Sequence, residues 1–283
     1  MLEAKVFVED VAAGRVSLSA GKKCLADGKL ALPVRGQGQI GGLMSIFGSG
    51  SAETAALIDL DVSLPVEAKW DFDMADRRTL VELDYAPGRY RAHQLRELPQ
   101  RKPANSYKRV DLPSEQTPHD GHSLLGYLRR WNPPEGSRGF LYFVLGRNLL
   151  RADVVLTGRE RIKTGLGERE AVRIDGLATR VLERTLEPIQ RYKPKPFTMW
   201  LTDDEERVPV RIVVETELAE LTIDLTKRTK TKVADGDPEP CVDRVDKNAL
   251  ARARKPRKKR LKPLRPVPAV ARPEATDPSA QKK

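Results

Sequence analysis

The 283-residue chain carries 51 Lys and Arg against 40 Asp and Glu, a formal net charge of +11, and 39% of its residues are hydrophobic. This composition is sufficient for one large packed domain or two smaller ones. It excludes a membrane-spanning helix, because no apolar run approaches the roughly 18 residues that such a helix needs. Residues 1–6 lack the basic start and apolar stretch of a secretion signal.

The positive charge is concentrated at the C-terminus. Residues 244–283 contain 14 Lys and Arg and 3 Asp and Glu, whereas residues 1–243 contain 37 of each kind. The first 243 residues are therefore neutral by count. The net charge belongs to the C-terminal segment and does not indicate a basic face on a folded domain.

Period-two alternation of apolar and polar residues runs through much of the chain and predicts strands with one buried face. The alternating segments are 16–20, 58–64, 68–72, 81–85, 208–214 and 221–225. The phase changes across 216–220, which places a turn or bulge there. Turn-forming residues at 86–88, 164–167 and 203–206 predict hairpin connections between strands.

Two segments have helical character. Residues 121–131 follow Asp120, a favourable N-cap residue, and place three leucines at helical spacing before Pro133 and Pro134 end the helix. The second candidate, 40–47, is short and flanked by glycines. Many short strands and few helices indicate an antiparallel all-β architecture.

The strand pattern ends near Lys227. Residues 227–243 are rich in polar residues and Pro, and residues 244–283 are Lys/Arg clusters interrupted by prolines. Such segments bury too little apolar surface to offset the entropy of ordering. The sequence thus predicts a mainly β domain over 1–226, a linker at 227–243 and a disordered basic tail at 244–283. The domain is expected to be a single antiparallel curved sheet, or an open barrel or sandwich, with one or two short helices.

Three segments together resemble a bacterial family known as domain of unknown function 3108, over roughly residues 4–226. They are DGHSLLGYLR at 120–129, GRERIKT and AVRI within 158–174, and MWLTDD and RVPVRI within 199–212. The chain departs from the family at His122, where a hydrophobic residue is usual, at Ala219, where Gly is usual, and in its long basic tail. The resemblance implies a location in the cell envelope or periplasm. The N-terminus does not support that location, so a cytoplasmic one stays open. The family has no established activity.

Residues 36–41 satisfy the dinucleotide-binding pattern G-x-G-x-x-G, and Asp59 and Asp61 follow about 20 residues on. Four glycines, at 41, 42, 48 and 50, fall where the phosphate-binding helix would run, and no further β-α-β units follow. The motif therefore indicates a flexible connection between strands, and we expect no cofactor.

His119, Asp120 and His122 place two imidazoles and a carboxylate close together. A metal-dependent hydrolase centred on these residues is an alternative function, but Asp120 is better explained as a helix cap. The crowded carboxylates at 203–206 are typical of a solvated hairpin tip. Because no nucleophile–base motif is present, we assign no catalytic and no metal-binding residue.

The large aromatic residues are expected to pack in the core. If the sheet curls around a cavity, Trp70 and Trp200 are candidates to line it and to bind an apolar, lipid-like or polymeric ligand. Arg129 is the third candidate ligand-binding residue.

The tail contains the strongest local cluster of charge, which is expected to attract nucleic acid, anionic lipid or acidic polymers. The residues expected to contact an anionic partner are Arg252, Arg254, Lys255, Arg257, Lys258, Lys259, Arg260 and Lys262. No aromatic residue interrupts the cluster, so sequence-specific recognition of nucleic acid is not expected.

These observations favour a non-enzymatic, envelope-associated binding or scaffold protein whose tail tethers it to an anionic polymer or membrane surface. The alternatives are the metal-dependent hydrolase and a non-specific nucleic-acid-binding protein acting through its tail. The sequence leaves open the identity of the ligand, the oligomeric state and whether Cys24 and Cys241 form a disulfide.

Overall fold

The computed structural model of the protein describes residues 1–41, 50–217, 219–230 and 237–241. The predicted basic tail lies outside these residues. Of the predicted second helix, 40–47, only the first two residues are described, and Ile40 is the last residue of a strand. Residues 42–47 lie outside the described residues.

Within the described residues, fifteen strands form one antiparallel sheet. The strands are β1 (Leu2–Val8), β2 (Val11–Ala20), β3 (Cys24–Ala26), β4 (Lys29–Ile40), β5 (Gly50–Asp59), β6 (Pro65–Met74), β7 (Arg77–Ala86), β8 (Arg89–Leu98), β9 (Arg101–Asp111), β10 (Arg138–Leu145), β11 (Asn148–Thr164), β12 (Gly167–Arg180), β13 (Lys195–Thr202), β14 (Pro209–Glu215) and β15 (Glu220–Arg228). The predicted turns at 86–88, 164–167, 203–206 and 216–220 connect β7 to β8, β11 to β12, β13 to β14 and β14 to β15, and are confirmed.

The order of strands joins the two halves of the chain. The sheet runs β10-β11-β12-β13-β14-β15-β1-β2-β4-β5-β6-β7-β8-β9, and β3 pairs only with β4. The pairing of β15 with β1 places Leu2 beside Arg228, so the first and last strands are central. The predicted fold class is confirmed: the protein is mainly β, with a single open antiparallel sheet.

The sheet curls until its two edge regions meet. The largest core cluster combines buried residues of β6 to β9, such as Tyr90, with Tyr142 and Val144 of β10 and Leu149 of β11. His119, in the segment after β9, pairs with β10 through the backbone, since its N–H donates to the carbonyl of Tyr142 and its carbonyl accepts from Val144, both at 2.8 Å. The face of the sheet that carries this cluster is therefore concave.

The helix α1 (Gly121–Arg130) lies on this concave face and contacts β5 and β10. Asp120 is its N-cap, as predicted, and forms a capping box with Ser123. The helix ends one residue earlier than expected, because Trp131 adopts an extended conformation. Within the described residues no helix has the length and apolar composition needed to cross a membrane.

The alternation at 58–64 does not form one strand. β5 ends at Asp59, whose carboxylate accepts hydrogen bonds from the backbone N–H groups of Asp61 and Val62. This Asx-type turn redirects the chain and leaves Val62 58% exposed. A local side-chain hydrogen bond therefore overrides the period-two pattern.

The folded part extends beyond the predicted boundary at residue 226. β15 continues to Arg228, and Cys241 forms a disulfide with Cys24 of β3. The backbone N–H of Leu25 donates to the carbonyl of Glu239, so residues 239–241 pair with the short strand β3. The predicted linker 227–243 is thus partly structured, because the disulfide and these backbone bonds hold its last described residues.

Candidate ligand-binding cavity

A cavity of about 290 Å³ lies on the concave face, between α1 and six neighbouring strands, β14, β15, β1, β2, β4 and β5. Across β1, β2, β4 and β5 the pairing register aligns Ala4, Val16, Gly38 and Ala52 in one row of the inner face. Because three of these four side chains are a methyl group or a hydrogen atom, the row leaves space between sheet and helix that larger residues would fill.

The wall of the cavity is almost entirely apolar. Its larger apolar side chains come from both halves of the sheet and from the helix: Leu2, Leu18, Leu125, Ile212, Ile223 and Leu225. Ser17, Gln37 and Arg211 also border the cavity, but they lie in the opposite alternation phase of their strands. On the inner face the polar side chains at the cavity are those of Thr54 and His122.

The glycine motif of β4 belongs to this wall. Gly36 and Gly38 are paired on both sides, with β2 and with β5, and so form neither the phosphate-binding turn nor the flexible connection that we expected. A Cβ atom at residue 36 would collide with the hydroxyl of Thr54 and lie 3.4 Å from Nε2 of His122. Glycine is therefore required at residue 36 for Thr54 and His122 to approach each other.

Thr54, His122 and Asp120 form a hydrogen-bonded chain at the cavity wall. Thr54 Oγ1 lies 3.0 Å from Nε2 of His122, and Nδ1 of His122 lies 2.8 Å from Oδ2 of Asp120. The Asp120 side chain is fully buried, and that of His122 is 10% exposed. Asp120 also accepts from the backbone N–H of Ser123 at 2.9 Å. One carboxylate thus caps the helix and orients the imidazole.

The surroundings of Asp120 favour its ionised form. Burial opposes ionisation and by itself raises the pKa of Asp120, but the hydrogen bonds from His122 and Ser123 outweigh it. The net result is a pKa below the usual value. Since an ionised carboxylate only accepts, Nδ1 of His122 carries a proton.

His119 does not join this chain. Its Nδ1 lies 3.3 Å from Ser123 Oγ and its ring packs against Tyr127, whereas both ring nitrogens of His122 are engaged by Asp120 and Thr54. Burial lowers the pKa of His119 to about 4, despite the nearby charge of Asp120. The described residues contain no group of three or more His, Cys, Asp or Glu side chains that could hold a metal ion. The arrangement therefore gives no support to the metal-dependent alternative.

The two tryptophans predicted to bind ligand are not brought together. Trp70 packs in the main core cluster on the inner face, beside Thr54 in the register, and does not line the cavity. Trp200 follows Met199 of the inner core and points to the opposite face. There its Nε1–H donates to Glu160 at 2.6 Å, under the guanidinium of Arg173. A ligand contact for either residue stays a prediction.

Arg129, the third predicted ligand-binding residue, contacts backbone carbonyls. Its guanidinium donates to the carbonyls of Arg207 and Glu206 at 3.1 and 2.7 Å. In return, the 6% exposed Arg207 donates to the carbonyl of Arg129 at 2.8 Å and to that of Trp131 at 3.1 Å. The pair ties the end of α1 to the β13–β14 turn and so holds the helix over the cavity; direct ligand binding by Arg129 remains a prediction.

The carboxylates at 203–206 lie at a hairpin tip, as the sequence suggests, and two of them form ion pairs. Asp203 pairs with Arg159 at 3.0 Å. Hydrogen bonds from Arg228 and then Lys230 lower the pKa of Glu206 to about 2. Asp204 instead accepts hydrogen bonds from the hydroxyl of Thr202 and from the backbone N–H groups of Glu206 and Arg207, which closes the hairpin turn.

Sequence reasoning did not identify Thr54, Ala4 or Ala52 as parts of a site. Two glycines at alternate positions, 36 and 38, were the available signal, because in a strand they leave one face without side chains. The partners across the register, Thr54 and Ala52, depend on strand pairing that the pattern alone does not specify.

A sequence model of the family described as "Protein of unknown function (DUF3108)" matches residues 7–226. No curated protein matches the chain. Among solved structures, the chain is similar to a crystal structure described as a β-barrel-like protein of domain of unknown function DUF1849 from Brucella abortus. That similarity has a TM-score of 0.48 and 7% sequence identity, and covers 80% of this chain and 94% of the other.

Proposed function

This chain belongs to the DUF3108 family of proteins of unknown function, and we propose that it is a non-enzymatic binding protein for a small molecule with an apolar chain. The observation that carries this proposal is the apolar cavity of about 290 Å³ between α1 and the sheet. Small-molecule sites are mostly apolar concavities with few polar groups, and this volume is near the lower end of their usual range.

The cavity is preformed, which supports a binding role. The helix above it is fixed at its start by the Asp120 cap and at its end by the reciprocal hydrogen bonds of Arg129 and Arg207. A ligand therefore meets a wall that is already ordered, so little conformational entropy is lost on binding.

A location in an oxidising compartment is part of the proposal. The Cys24–Cys241 disulfide supports it, because disulfides persist in oxidising environments and are rare in the cytosol. The envelope location implied by the family resemblance agrees with this inference.

Binding is tested by titration with the apolar fluorophore N-phenyl-1-naphthylamine, and by mass spectrometry of small molecules extracted from the purified protein. The decisive variant is Ala52→Leu, which adds three carbons on the inner face. It should displace roughly two to three methylene groups of a ligand, each contributing about 0.8 kcal/mol. We therefore expect roughly 15- to 60-fold weaker binding.

The matched control is Ala55→Leu, on the same strand but in the opposite phase, where Ala55 pairs with Arg35 and Lys69. It should bind the fluorophore like the native protein. Absence of saturable binding to the native protein, or equal effects of the two substitutions, would show that the cavity is not the binding site.

A further inference from the structure

The polar atoms at the cavity have a defined hydrogen-bond direction. Nδ1–H of His122 donates to the ionised Asp120, so in a neutral imidazole Nε2 is the acceptor. Thr54, 3.0 Å away, must then donate its hydroxyl proton to Nε2. With the imidazole neutral, the buried carboxylate at the end of the chain sets the direction of both hydrogen bonds.

This direction leaves Thr54 Oγ1 with unused acceptor capacity. A hydroxyl has one proton and two lone pairs, and its proton is committed to His122. Among the described residues, the hydrogen-bond partner of Thr54 Oγ1 is His122. Of the two residues paired with Thr54, Gly36 has no side chain, and the indole N–H of Trp70 makes no hydrogen bond to it. A half-buried oxygen at an apolar wall therefore lacks a donor, and a donor on the ligand would supply one.

The same surroundings disfavour an anionic ligand. The fully buried carboxylate of Asp120 lies one imidazole ring away from Thr54. The nearest lining cation, Arg211, is in the opposite phase of β14, where it pairs with Asp224 at 3.4 Å. A carboxylate head group would thus be desolvated without a cationic partner.

We propose that Thr54, oriented by His122 and Asp120, recognises the head group of the ligand, and that this ligand is a single-chain molecule ending in a neutral hydrogen-bond donor such as a primary alcohol. The proposal rests on the apolar-cavity function proposed above and adds the chemical class of the ligand. Thr54 contacts the ligand, whereas His122 and Asp120 are positioning residues that set the direction of its hydroxyl.

The test compares two isomers, octan-1-ol and 1-methoxyheptane, by competition with N-phenyl-1-naphthylamine. Both have the same atoms and an oxygen near one end, but only the alcohol donates a hydrogen bond. The native protein should prefer the alcohol by roughly 3- to 10-fold, the usual contribution of one hydrogen bond. Octanoate should bind more weakly than the alcohol.

Substitutions of Thr54 test whether its hydroxyl group causes the preference for the alcohol. Thr54→Val keeps the size of the side chain and should abolish the preference for the alcohol, whereas Thr54→Ser should retain it. Thr222→Val is the matched control, because Thr222 lies on β15 in the phase opposite to the cavity residue Ile223. It should keep the native preference.

The outcomes distinguish the two proposals. Equal binding of both isomers to the native protein overturns head-group recognition and leaves the cavity function intact. Tighter binding of octanoate than of the alcohol also overturns it, because that result requires a cationic site. Failure of every ligand and of the fluorophore to bind overturns the proposed function itself. The comparison in the native protein is decisive even if Thr54→Val does not fold.

Discussion

His119 and His122 lie three residues apart and have opposite environments. His122 has a carboxylate on one nitrogen and a hydroxyl on the other, whereas His119 is 6% exposed and packed against Tyr127. Burial therefore dominates at His119, and its pKa falls to about 4. The sequence placed both residues near a helix start, but their different environments depend on what the curled sheet brings around them.

The lowered pKa of His119 predicts a loss of stability in mild acid. In the unfolded chain the imidazole takes up a proton as the pH falls below about 6.5, while the folded protein resists protonation until about pH 4. The stabilisation is therefore complete above about pH 6.5 and is lost as the pH falls towards 4. Between about pH 7 and pH 4.5 the free energy of unfolding should fall by about 2–3 kcal/mol from this group.

Urea unfolding at both pH values measures this effect, with His119→Gln as the reference because glutamine does not titrate. Native protein should lose more stability than the variant by the stated amount. An identical loss in the two proteins would contradict the burial of a neutral imidazole at this position.

At the scale of elements, the hairpins and the helix follow from local sequence, whereas the pairing of residues 239–241 with β3 does not. β3 has only three residues, Cys24 to Ala26, and its disulfide partner, Cys241, lies 217 residues away. A strand of three residues forms few backbone hydrogen bonds, so its pairing contributes little stability. The disulfide therefore holds the end of the described chain against the first half of the sheet.

Removing the disulfide should destabilise the domain. Cys241→Ser releases a constraint on a very long loop of the unfolded chain, for which losses of about 2–4 kcal/mol are typical. Urea unfolding with and without reductant provides the measurement. Reductant should destabilise the native protein and leave Cys241→Ser unchanged. A native protein unaffected by reductant under conditions that free both thiols would contradict the prediction.

At the scale of the whole molecule, the excess positive charge and the described domain lie in different parts of the sequence. Residues 1–243 are neutral by count, and residues 244–283 carry the excess of 14 basic over 3 acidic groups. We propose that the tail tethers the domain to an anionic polymer or surface. The cavity and the tail should then act independently, because the cavity is formed by β1, β2, β4, β5, β14, β15 and α1.

Truncation of residues 244–283 tests this separation. Binding of the full chain to a short DNA duplex, used as a polyanion, should weaken by about 10³-fold between about 50 and 200 mM salt. The truncated protein should lose this binding, keep its thermal midpoint and bind N-phenyl-1-naphthylamine unchanged. Salt-sensitive DNA binding that survives truncation would locate a basic face on the domain. A large fall in the midpoint would mean that the tail packs on the sheet, for example on an edge strand.

The sequence by itself determined the features that depend on near neighbours in the chain. Period-two alternation, turn residues and the Asp120 cap predicted strands β2, β6, β7, β14 and β15, four of the turns and the helix. A strand face, a hairpin turn and an N-cap are each specified within a few residues. The failure at 58–64 also had a local cause, the side chain of Asp59.

Only the tertiary structure determined which residues contact each other across the curled sheet. Thr54 and His122 are 68 residues apart, Arg129 and Arg207 are 78 apart, and Cys24 and Cys241 are 217 apart. Alternation tells which residues share a face, but it does not specify the register between distant strands or where a helix will rest on them. The cavity exists because small residues on neighbouring strands align in register under α1, and that alignment is a property of strand pairing and closure rather than of any single segment.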